Sequence, residues 1–271
     1  MLMKKITFIA AAAAAIVLAS CGGGKQAETT PETNDSITFE QSQIEEKIMT
    51  ELDSIADIYT KLAPVEGVFA NGSIQLSEDE AKVKPTYLYD IKQLDNLQLI
   101  SQKYRALGIL SVDAQVAELY KMDTDAYKAA IAKLATDVND PAIKYNEKPT
   151  AEDVKAIYTA EKENGRINLF WEAAAAGIVE NLFVLSQNID KFLPAFNDQS
   201  ASDMTYHIAL LKLSLDDLAT YDTNIKELVE TLAPLNELNA INVQQLKEQL
   251  TKMKPQIEAA RTKIIQTSAA E

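Results

Sequence analysis

Apolar residues recur at steps of three and four from Ile44 onward: Ile44, Ile48, Leu52, Ile55, Tyr59 and Leu62 share one face of a helix. Pro64 stops that helix. The rhythm fails over 65–76 (VEGVFANGSIQL). There Asn71-Gly72, between Val68-Phe69 and Ile74 to Leu76, carries the turn chemistry of a short β-hairpin near 68–76, with a plain loop as the alternative. Ser77 followed by Glu80 reads as a capping box. Pro85 suits the start of a helix running through Tyr87, Ile91, Leu94 and Leu97 towards Leu107. Gly108 then marks a close contact or a break. Asp123-Thr124 open a helix that Asn139-Asp140-Pro141 end, and 139–149 is a connecting loop.

Thr150 starts the next helix, and Asn164-Gly165 separate it from 167–192, which is apolar nearly all round and belongs at the centre. Its run Ala173-Ala174-Ala175-Ala176-Gly177 is small enough for a neighbouring helix to come close. After a loop at 194–202, helices follow over 203–221 and 224–232. The last helix carries Val243, Leu246, Leu250, Met253, Ile257, Ala260 and Ile264, a seven-residue repeat bent or broken near Pro255. The predicted fold is all-α: a multi-helix bundle with long N- and C-terminal helices, in a single domain over 39–271. Leu246, Leu250 and Met253 are the candidate seam for a protein partner.

Composition narrows the chemistry. With 47% apolar and 24% charged residues the chain holds enough core material to fold. One Cys and one His exclude a disulfide framework, a thiolate zinc site and a histidine-rich metal site. No phosphate loop, nucleophile elbow or His-Glu-x-x-His is present, so no cofactor, metal or catalytic residue is predicted. Asp123-Thr124-Asp125 begins like a calcium loop, but Tyr127 and Lys128 stand where an oxygen ligand and a glycine are needed, and a helix cap is the better reading. Asp203 and His207 are four apart, which suggests a partly buried imidazole held by a carboxylate. A net charge of −14 argues against nucleic acid and anionic lipid surfaces.

The only three arginines are Arg105, Arg166 and Arg261. Arg105 follows Tyr104 in an apolar segment, and Arg166 precedes the helix that holds Trp171. One reading is a groove lined by Arg105, Arg166, Tyr104 and Trp171 that holds an anionic or sugar-like ligand. The plainer reading is internal ion pairs that fix helix register.

The N-terminus supplies an address. Lys4-Lys5 precede an apolar stretch over 6–17, too short to span a bilayer, and Leu18-Ala19-Ser20-Cys21 follows. This resembles the lipobox of bacterial lipoproteins. The resemblance implies a signal peptide over 1–20, lipid (palmitate among its acyl chains) on Cys21, and anchoring without a transmembrane helix. Gly22, where an aspartate would mark inner-membrane retention, implies the outer membrane, facing periplasm or cell surface. Residues 21–38 are polar enough to be a flexible tether. Within it, Asp35-Ser36-Ile37 resembles a short O-glycosylation site centred on Ser36. The lipobox, the segment 87–139, Glu163-Asn164-Gly165-Arg166-Ile167 and the Trp171 helix together resemble the uncharacterised helical lipoproteins of the Bacteroidota envelope. That resemblance implies location and fold, not activity. The expectation is a lipid-anchored, non-enzymatic binding or assembly module with an envelope protein partner; the alternative is a lipoprotein that binds a small ligand.

Overall fold

A computed structural model describes residues 35–66, 69, 73–146 and 148–265. It is helical, with no strand among the described residues. The helices are α1 (Asp35–Glu66), α2 (Glu78–Lys82), α3 (Ile100–Leu119), α4 (Asp125–Asp137), α5 (Ala151–Glu163), α6 (Ile167–Gln187), α7 (Ile189–Phe192), α8 (Asp198–Leu218), α9 (Thr223–Leu232) and α10 (Val243–Ile265). The compact unit Ser42–Glu271 holds all the packing described below. The lipobox, Cys21 and the signal segment lie outside the described residues. Ser36 falls at the start of α1, which begins earlier than the tether reading allowed; its side chain also lies outside them.

The centre is α6, as its apolar circumference requires. Leu169, Phe170, Trp171, Val179, Leu182, Val184 and Leu185 are all buried. By length and composition this helix could cross a membrane. With 83% of its apolar window buried inside the fold, it serves as the core helix. α3 packs along one side of α6, α10 along another, and α4 and α5 close around the α3–α6 pair. α3 continues through Gly108 without a break, because the missing side chain is what lets α6 approach. A Cβ there would meet the Ala173 carbonyl oxygen at 2.1 Å and the Gly177 nitrogen at 2.9 Å.

Two expectations about helix starts fail for identifiable reasons. No helix starts at Pro85. The chain runs non-helically there, with the Tyr89 N–H donating to Asp113 Oδ2 at 2.7 Å and Arg261 Nη2 donating to the Tyr87 carbonyl at 3.2 Å. Tertiary partners thus take the backbone groups that a helix would have used. A 3-10 turn, Ile91–Asn96, follows, capped by Asp90. α8 starts at Asp198 because Asn197 and Ser200 form a capping box. Pro255 leaves α10 continuous. Around the proposed hairpin, residues 68 and 70–72 lie outside the described residues, and 73–77 is not strand.

The heptad of α10 is the face that docks on the bundle. Leu246, Leu250 and Ile257 are 0% exposed and Met253 is 2% exposed. The seam assigned to a partner is therefore occupied within the chain. Each such aliphatic side chain contributes roughly 1.5–3 kcal/mol by burial.

Candidate ligand pocket

α5 carries the residue that organises the site. Val154, Ile157, Tyr158 and Glu161 follow the three-four spacing of its inward face, so the helix turns a carboxylate into the core where an apolar side chain would be routine. Glu161 is 0% exposed. Across from it, α3 presents Tyr104, whose hydroxyl lies 3.3 Å from Glu161 Oε2 and donates to Asp140 Oδ2 at 2.6 Å. Asp140 arrives from the loop after α4. Asn139 takes the left-handed conformation (φ 51°) that reverses the chain, and Asp140 Oδ1 then accepts the Ala142 N–H at 2.9 Å. Arg166, at the start of α6, donates to the Val138 carbonyl at 2.9 Å and reaches the Tyr104 oxygen at 3.4 Å.

The two carboxyl groups are pushed apart in acidity. Burial, and then the hydrogen bond and charge of Asp140, push Glu161 up to about 8, so it holds a proton at neutral pH. Burial opposes ionisation of Asp140 too. Hydrogen bonds from Glu161, Tyr104 and the Ala142 N–H, with the charge of Arg166, outweigh it and hold Asp140 below the usual carboxylate range. The proton therefore resides on Glu161 and is donated to Asp140.

This cluster ends a half-open pocket with a free volume of about 130 Å³. Leu107, Ile131, Ile143, Ile157, Phe170 and Ala173 form apolar walls; Tyr104, Glu161 and Ser111 supply polar groups, with Lys144 on the exposed rim. Small-molecule sites combine apolar walls with a few convergent polar groups, and this pocket does so on a small scale. A second recess, with a free volume of only about 30 Å³ between α6, α8 and α9, is lined by aliphatic side chains with only Lys212 and Asn236 as polar members. It has nothing buried and polar to orient a guest.

The residues singled out from the sequence separate. Tyr104 lines the pocket and Arg166 backs it. Arg105 turns the other way and donates to Glu172 at 2.6 Å, in contact with the Asn224 carbonyl at the start of α9. Trp171, 0% exposed, belongs to an aromatic cluster with Tyr59 at 4.9 Å and Phe170 at 5.1 Å, so Phe170 and not Trp171 faces the pocket. Arg261 grips Glu180 through both Nε (2.6 Å) and Nη2 (3.0 Å). His207 is buried against Tyr59, with ring centres 3.8 Å apart, while Asp203 accepts from Gln199. Burial pushes the imidazole down to about 3, so the carboxylate-held histidine expected at this pair is a neutral core residue instead. Among the described residues no cluster of His, Cys, Asp or Glu could hold a metal ion. Glu161, Asp140 and Lys144 were not anticipated; the acid on the apolar face of α5 was the available signal.

No known protein family, curated protein or solved structure matches this chain.

Proposed function

We propose that the chain is a lipid-anchored helical protein of the bacterial outer membrane that binds a small molecule, without chemistry, in the pocket between α3, α4, α5 and α6. The observation that carries the binding role is a buried, protonated Glu161 beside Tyr104 at the end of an otherwise apolar cavity. A buried carboxyl with a perturbed pKa facing a cavity is the kind of group that marks functional sites. The anchor rests on Lys4-Lys5, the apolar stretch over 6–17 and Leu18-Ala19-Ser20-Cys21. The burial of Leu246, Leu250 and Met253 takes from the assembly reading the surface on which it was based.

The test uses the intact protein in detergent. A small-molecule panel is screened by thermal shift against the parent and Ile157→Trp, which fills the pocket. Compounds that raise the melting temperature of the parent and not of the variant support the reading; a panel that treats both alike removes it. Intact mass measurement of the purified protein, with and without Cys21→Ser, tests the anchor separately.

A further inference from the structure

We infer that the pocket's guest is a protonated amine with an apolar body. This rests on the pocket reading above and adds the ligand's chemistry. The hydrogens of the buried wall are already committed. Tyr104 gives its hydroxyl hydrogen to Asp140 Oδ2 at 2.6 Å. Ser111 gives its own to the Leu107 carbonyl at 2.8 Å. Glu161 gives its carboxyl hydrogen to Asp140. Arg166 stands behind Tyr104, outside the lining, and turns its Nη1 group to Val138 and Tyr104. Every polar side chain on the buried wall therefore offers lone pairs and no free hydrogen. The one donor in the lining, Lys144, stands on the exposed rim.

A guest carboxylate or phosphate would have to break one of these bonds or stop at Lys144. A neutral hydroxyl compound could satisfy one acceptor. An ammonium brings three donors to a wall of acceptors, and charge-assisted bonds are the stronger kind. Its charge also replaces the proton: the guest enters as R–NH₃⁺, Glu161 releases its proton to water, and the ammonium pairs with the new carboxylate. The groups facing Glu161 are Tyr104 from α3, Asp140 and Lys144 from the α4–α5 loop, and Arg166 before α6; α4 contributes only the apolar Ile131. Asp140 is already ionised, so Glu161 is the group that titrates when the guest arrives.

Isothermal titration of the full chain with phenethylamine, phenethyl alcohol and phenylacetate, in two buffers of different ionisation enthalpy, tests this. The expected result is that the amine binds at least about tenfold more tightly than either of the others at pH 7, with release of close to one proton. Glu161→Gln should abolish the proton release and most of the preference for the amine. Ser111→Ala, a milder change, should weaken the amine severalfold while leaving the melting temperature in place. If the alcohol or the carboxylate binds as tightly as the amine, and Ile157→Trp blocks it, the pocket stands and the amine assignment falls. If none of the three binds the parent, the amine assignment falls, and the thermal-shift panel with Ile157→Trp decides the pocket.

Discussion

The carbonyl oxygen of Ala173 occupies the place a Cβ on Gly108 would need: the two would be 2.1 Å apart. The reverse contact is relaxed, since a Cβ on Gly177 would lie 3.6 Å from the Gly108 oxygen, an ordinary van der Waals distance. The pair looks symmetrical in sequence and is not. Gly108→Ala must push α3 away from α6 and is expected to cost about 3 kcal/mol or more, whereas Gly177→Ala is expected to change stability by less than about 1 kcal/mol. Urea denaturation of the two variants decides; equal losses would show that the helices do not meet at this point.

Removing Arg261 leaves Glu180 buried without its counter-charge. Arg261→Met should cost about 3–5 kcal/mol at neutral pH. Without the guanidinium the Glu180 carboxyl rises further, so the native state holds a proton that the unfolded state gives up above the ordinary carboxylate range. The deficit should therefore shrink as the pH is lowered towards 5. A deficit that stays constant with pH would mean that the loss is one of packing alone.

Glu161 gives the native state its own pH signature. Its pKa is raised from 4.5 to about 8, so the folded chain binds more protons than the unfolded chain between those values. Its contribution is fully present below that window and is lost as the pH rises through 8. Urea midpoints measured at pH 5 and pH 9 should fall more steeply for the parent than for Glu161→Gln, which cannot ionise. Parallel slopes would place the carboxyl in water.

Leu250→Ala should cost about 3 kcal/mol through the cavity it leaves, and the loss should be independent of protein concentration. A seam that joined two chains would behave otherwise, with a melting temperature that climbs with concentration in the parent and not in the variant.

The single histidine makes the core visible to proton NMR. His207, held neutral by burial with a pKa near 3, should show no titration between pH 5 and pH 8. A midpoint near 6.5 would mean that the imidazole reaches solvent.

Period and packing were legible in the chain; partnership was less so. The apolar circumference of 167–192 announces a central helix, and the small residues from Ala173 to Gly177 announce a close neighbour, because both are consequences of helical geometry alone. The spacing of Leu246, Leu250 and Met253 predicts a docking face equally well. It cannot say whether the opposite surface belongs to the same chain, and here it does. The non-helical run around Tyr87 and Tyr89 is held by Asp113 and Arg261, which lie 24 and 174 residues away, so local propensity had nothing to offer. The pocket was half visible. Tyr104 stood out, and Glu161 breaks the apolar face of α5. Asp140 and Lys144 sit on a loop with no period, placed by the turn at Asn139.

Arg261 also sets an order of events. It lies 81 residues beyond the carboxylate it neutralises. A ribosome delivers the chain from its N-terminus, so α6 emerges long before its counter-ion, as a stretch apolar enough to be drawn into a bilayer and marked against it by Glu172 and Glu180. Until α10 is made, the central helix has no finished place to go. A chain cut short before Arg261 would leave Glu180 without that counter-charge and α6 without the helix that covers one of its sides.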